Sequence, residues 1–124
     1  MKVAITAAGS GLEAQVDPRF GRCANFVIVD TESMEAKDQS NEARSAVGGA
    51  GIQAGQAVAS LGVEAVITGN VGPNAARVLA ASGLKIYIGA SGTVKEAVEA
   101  FKDGKLQETA TASVRAHTGM GGPR

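Results

Sequence analysis

Aromatic side chains are scarce in this 124-residue chain: three Phe, one Tyr and no Trp. A surface that stacks nucleic-acid bases on exposed rings is not to be expected from so few. Neither charge is in excess, because 12 Lys and Arg balance 12 Asp and Glu. The signs are interspersed along the chain, so no broad basic face exists to neutralise backbone phosphates. Nucleic acid is excluded as a partner on both counts. The single cysteine, Cys23, has no partner for an intramolecular disulfide, which points to a reducing, cytoplasmic compartment. Long apolar runs are missing too. Residues 3–8 form too short a run after Met1 and Lys2 for a signal peptide. Residues 45–63 carry no charge, but Gly48, Gly49, Gly51, Gly55, Gly62, Gln53 and Gln56 interrupt them. A membrane span is excluded there.

Catalytic machinery is equally absent. No Gly-x-x-x-x-Gly-Lys-Ser/Thr loop occurs, the first apolar run holds no carboxylate for a divalent ion, and no zinc-type ligand spacing is visible. The only histidine, His117, lies near the end of the chain, away from any nucleophile. The reading is a protein that is not an enzyme.

What is present is an aliphatic chain with clear punctuation. Residues 3–8 and 26–31 read as strands, the first of them central and covered on both faces. Residues 34–39 read as an antiparallel edge strand. Residues 50–61 follow as a helix opened by Gly48-Gly49 and stopped by Gly62. Residues 65–68 are a buried strand, and Pro73 sits at the first position of a second helix that ends at Gly83. Residues 85–88 form the last strand. Thr93-Val94-Lys95-Glu96 then has the form of a capping box, with Val94, Ala97, Val98 and Phe101 recurring at helical spacing. Three early strands followed by alternating helices and strands predict an α/β fold: a mixed five-stranded sheet with about three helices, whose order resembles a ribonuclease H-like sheet. Residues 1–108 read as the single domain and residues 109–124, which lose periodicity, as a flexible tail.

Three concentrations of chemistry stand out. Gly9-Ser10-Gly11-Leu12-Glu13-Ala14 spells a dinucleotide-type glycine pattern, with Asp30 near the place of a ribose-binding acid, but Asp17-Pro18 leaves no room for the helix that motif requires. A flexible glycine loop is the preferred reading. Arg19-Phe20-Gly21-Arg22-Cys23 puts a thiol beside two guanidinium groups, which would favour its thiolate and make it a soft-metal ligand. A lone cysteine is otherwise a small buried hydrophobe. One thiolate cannot enclose a metal, so Cys23 would hold a preassembled cluster or share one. Finally, the helix starts at Gly48-Gly49-Ala50-Gly51, Asn70-Val71-Gly72-Pro73-Asn74 and Ser91-Gly92-Thr93 can face one crevice at the carboxyl ends of the strands, where free N–H groups and helix dipoles favour an anion.

Asp17-Pro18-Arg19-Phe20-Gly21-Arg22-Cys23, Gly48-Gly49-Ala50-Gly51, Gly72-Pro73-Asn74-Ala75, Gly89-Ala90-Ser91-Gly92-Thr93-Val94 and Gly104-Lys105-Leu106, in this order, resemble the dinitrogenase iron-molybdenum cofactor biosynthesis family, which includes nitrogenase cofactor carriers and orange proteins. The resemblance implies a ribonuclease H-like fold and noncovalent carriage of an anionic metal-sulfide cluster. Members often carry His where this chain has Arg19 and Gly48, so an arginine- and backbone-lined pocket for a cluster held by charge is implied. The cargo would be an iron-molybdenum cofactor or a molybdenum-copper sulfide, held noncovalently or through Cys23. Arg19, Gly21, Arg22, Gly48, Gly49, Gly51, Asn70, Gly72, Asn74, Ser91, Gly92 and Thr93 would line the site, with Cys23 and His117 as metal ligands. His117 and Met120 in the tail suit copper or iron. Metallocofactor assembly or acceptor proteins would be the partners of a monomer or weak dimer. A nucleotide- or small-anion-binding regulator using the same amides is the alternative, and a ligand-free interaction module a third.

Overall fold

A computed structural model describes residues 1–109. Six strands, β1 (Lys2–Ala7), β2 (Asn25–Asp30), β3 (Ala36–Ser40), β4 (Ala65–Ile67), β5 (Lys85–Ile88) and β6 (Gln107–Thr109), form one sheet in the order β3-β2-β1-β4-β5-β6. β1 is central: it pairs antiparallel with β2 and parallel with β4. The sheet is mixed as expected, but it has six strands, not five. Gln107, Glu108 and Thr109 show no alternation of apolar and polar residues. They become a strand only by pairing antiparallel with Ile88, Tyr87 and Ile86, a long-range contact with no local signature. Thr109 therefore belongs to the sheet, one residue past the boundary read at 108.

Three helices, α1 (Ala50–Ala59), α2 (Pro73–Ala81) and α3 (Val94–Lys102), cover the two faces. The period of two along β1 decides which side chains meet them. Ala4 faces α1 and α2 in one apolar cluster with Phe26, Val66, Ile86, Ala54, Val58, Ala75, Ala76 and Leu79. Val3, Ile5 and Ala7 face α3 in the other, with Val27, Val29, Ile67, Val94, Ala97 and Val98. Aliphatic side chains thus make nearly all of the core, and Phe20 and Phe26 are its one pair of rings on the α1–α2 side, centroids 5.7 Å apart. α1 and α2 cross closely because Gly55 leaves room for Val78. No helix among the described residues is long and apolar enough to cross a membrane.

β3 starts two residues later than the sequence pattern suggests. The β2–β3 connection is a turn in which Asp30 accepts hydrogen bonds from the Glu32 and Ser33 amides and Met34 takes a positive φ of 62°. Asp30 closes that turn through Oδ1. Residues 9–16 form a fastened loop, where a flexible one was expected. Gly11 N–H bonds Asp38, and Gly9 O accepts from Asn25.

Candidate functional site

The carboxyl ends of β1 and β4 carry the loops that build the site. Residues 17–20 lie against residues 68–70: Asn70 N–H donates to Pro18 O at 2.7 Å and Phe20 N–H to Asn70 O at 3.3 Å. Any side chain at Gly69 would run into Pro18. This brings Gly21 against the start of α1, where a Cβ on Gly21 would lie 3.2 Å from the Gly51 Cα. Gly51 in turn abuts Ala75 at the start of α2. Glycine at 21 also serves a φ of +100°, a conformation strained for any residue with a Cβ.

An open depression of about 230 Å³ results, lined by Phe20, Gly21, Arg22, residues 49–51 and residues 72–75. Its floor consists of helix starts that lack caps. Gly49 and Gly72 precede α1 and α2 with no side-chain cap. The first intrahelical donors are Gln53 and Ala76, so the N–H groups of Ala50, Gly51, Ile52, Asn74 and Ala75 have no partner among the described residues. Both helix dipoles point their positive ends into the same space. The arrangement presents backbone donors of the kind that can hydrogen-bond an anion.

The third helix start takes no part in it. α3 lies on the opposite face, and each donor of its first turn is occupied. Thr93 N–H is taken by Glu96 and Glu96 N–H by Thr93 in the capping box. Val94 N–H goes to Ala14 O at 2.8 Å and Lys95 N–H to Leu12 O at 2.9 Å. The loop of residues 9–16 occupies the place an anion would take. Ser91, Gly92 and Thr93 are thus separated from the depression, which corrects the expectation of three converging starts. Gly48 and Asn70 flank the lining without contributing to it.

The basic segment also differs from expectation. Arg19 pairs with Asp17, its Nε and Nη2 each 3.3 Å from the carboxylate oxygens. Burial works against the charged Asp17 carboxyl, but the hydrogen bonds from Arg19 and the fields of Arg19 and Arg44 outweigh it and hold it below the usual carboxylate range. Arg22 donates Nη1 to the carbonyls of Arg44 at 2.8 Å and Ala46 at 3.2 Å. Neither guanidinium activates Cys23. The thiol is fully buried among Phe20, Phe26 and Ala54, and burial together with the Asp17 charge pushes it up to about 11. Cys23, expected as a thiolate ligand, is placed in the core, where burial favours the neutral thiol. His117, the other expected ligand, lies outside the described residues, as does Met120. Among the described residues no group of three or more His, Cys, Asp or Glu could hold a metal ion.

A larger depression of about 430 Å³ lies at the far end of the sheet, lined by Lys2, Ile28, Asp30, Glu35, Ala36 and Lys37. Two carboxylates and two ammonium groups there cancel, so it offers an anion no net field.

Residues 1–104 match the family described as dinitrogenase iron-molybdenum cofactor. The chain belongs to that family. It is 41% identical to the orange protein of Desulfovibrio gigas, solved in its apo form, with a TM-score of 0.87 over 91% of this chain and 96% of that one. It is also 41% identical to a putative NifB protein from Thermotoga, with a TM-score of 0.78 over 91% and 97% of the two chains. An uncharacterized protein of Methanocaldococcus jannaschii is 34% identical over 97 residues, 76% of this chain and 82% of its own. Within this family frame, Phe20, Ala50, Pro73 and Ala75 are further lining residues that sequence reasoning left out of the site. Their only signal was a glycine within three residues of each.

Proposed function

We propose that this chain is a non-catalytic carrier or scaffold for an anionic metal-sulfide cluster, seated on the starts of α1 and α2. The observation that carries the reading is that four residues with unpartnered backbone N–H groups, Ala50, Gly51, Asn74 and Ala75, line one depression at the starts of two helices. Such donors hydrogen-bond sulfide or oxide edges of an anion and add the helix dipoles to them without a covalent ligand. Membership of a family named for the iron-molybdenum cofactor, and likeness to an orange protein, support a metal-sulfide cargo over other anions. The cargo is held by charge and hydrogen bonds, leaving Cys23 out. An open seat suits handing the cluster on to an acceptor or assembly protein in the cytoplasm.

Anaerobic purification and reconstitution, followed by visible absorption and elemental analysis for Mo, Fe, Cu and S, test this directly. Stoichiometric uptake of a molybdenum-copper sulfide or an iron-molybdenum cluster is the expected result. Nucleotide binding with no cluster uptake would establish the regulatory alternative instead.

A further inference from the structure

Asn41 is only 2% exposed, and all of its side-chain polar groups are used. Nδ2 donates to the Gly21 carbonyl at 3.1 Å and to the Cys23 carbonyl at 2.9 Å. Oδ1 accepts from the Ala43 amide at 3.2 Å, and the backbone N–H donates to Ala24 O at 3.0 Å. One buried side chain thereby ties the loop that carries Gly21 to the segment that leads into α1. On the solvent side Arg22 makes a second tie between the same two segments, through the carbonyls of Arg44 and Ala46. Four carbonyl oxygens are occupied by these two side chains, and one of them belongs to Gly21, which lines the depression.

The pattern has an electrostatic reason. A peptide carbonyl is the negative end of its dipole, and a free carbonyl next to an anion opposes the amides that hold it. Gly21 is the sharpest case. It lines the depression, but its carbonyl is bonded to a buried amide, away from the open space. We propose that Asn41 and Arg22 are positioning residues that keep the seat electropositive: Asn41 holds the carbonyl of the lining residue Gly21 away from the cargo, and Arg22 fixes the segment that leads into α1 through the carbonyls of Arg44 and Ala46. Arg22 then acts through its clasp on the Arg44 and Ala46 carbonyls, not as a direct charge contact. This inference rests on the cargo reading above and adds to it the residues that set the sign of the site.

The experiment follows the backbone amide signals of Ala50, Gly51, Ile52, Asn74 and Ala75 by NMR during titration of the full chain with two probes, tetrathiomolybdate and tungstate. Asn41→Ser keeps a cap acceptor for Ala43 but removes both carboxamide donors. Arg22→Lys keeps the charge but shortens the side chain, withdrawing the donor from the place where Nη1 alone reaches both carbonyls. Both variants are checked for an intact melting transition above the assay temperature. In the wild-type chain both probes shift these amides. Each variant weakens binding about tenfold or more, the loss expected when hydrogen bonds that order a charged site are removed. If Arg22→Lys binds like wild type while Arg22→Ala does not, Arg22 is a direct charge contact and the clasp is overturned. That variant alone decides if Asn41→Ser fails to fold. Tungstate binding with the same losses, but no tetrathiomolybdate binding, would sink the metal-sulfide cargo and leave the positioning role standing. No shift with either probe overturns both.

Discussion

The close approach of Gly21 to α1 makes Gly21→Ala the most informative single change in the molecule. A methyl group there would sit 3.2 Å from Gly51 Cα and 3.3 Å from Gly51 N, against backbone that cannot swing aside. The φ of +100° adds a conformational cost of its own. That cost is about 1 to 2 kcal/mol for a residue with a Cβ, and overpacking against rigid atoms adds roughly 1 to 2 kcal/mol. The sum is about 2 to 4 kcal/mol. For a domain of this size each kcal/mol lowers the melting temperature by roughly 3 to 5 °C, so a drop on the order of 10 °C is expected. Gly11→Ala is the control, because Gly11 has a φ of +79° but nothing within 4 Å of an added Cβ. It should cost only the conformational part, about 1 to 2 kcal/mol. Thermal denaturation followed by circular dichroism gives both values. Tetrathiomolybdate titration should show Gly21→Ala losing affinity and Gly11→Ala keeping it. Equal melting temperatures for the two variants, or undiminished binding by Gly21→Ala, would refute the idea that glycine at 21 is required by contact with α1.

Cys23, with its thiol raised to about 11 and fully buried, should resist iodoacetamide at pH 8 in the folded chain and react on unfolding. Because its folded value lies above the ordinary 9.0, the associated stability is intact below about pH 9 and lost as pH rises toward 11; this decline, measured by urea denaturation, should be absent from Cys23→Ser. Asp17 shifts the opposite way, so its contribution is present at neutral pH and disappears as pH falls below the ordinary carboxylate range. Asp17→Asn should cost roughly 1 kcal/mol at pH 7, a small value because the Arg19 side chain is 68% exposed, and nothing at the acid limit. Gly55→Ala should destabilise despite alanine's better helix propensity, since its Cβ would lie 3.1 Å from Val78 Cγ1. Combined with Val78→Ala it should be more stable than the sum of the single changes by about 1 kcal/mol, measured in a double-mutant cycle.

The features legible in the sequence were those encoded within a few residues. Thr93 and Glu96 form the capping box they spell, Pro73 opens α2, and the alternation of Val3, Ala4, Ile5 and Thr6 sends neighbouring side chains to opposite faces of a central strand. Helix boundaries and sheet class follow from such local chemistry and from the period of the apolar residues. Six of the expected site residues, Gly21, Arg22, Gly49, Gly51, Gly72 and Asn74, meet around one depression, because glycine and proline mark helix starts and parallel strands place those starts at one end of the sheet. Which donors stay free was settled only in three dimensions. The loop of residues 9–16 uses up the amides of α3, while those of α1 and α2 have no hydrogen-bond partner among the described residues. Cys23 looks activated beside Arg19 and Arg22 in the chain. In space, however, both guanidinium groups turn to other acceptors and the thiol enters the core. β6 exists only because β5 offers an unpaired edge. Each of these outcomes depends on which distant group wins a hydrogen bond or a place in the core, a competition that residue order along the chain does not record.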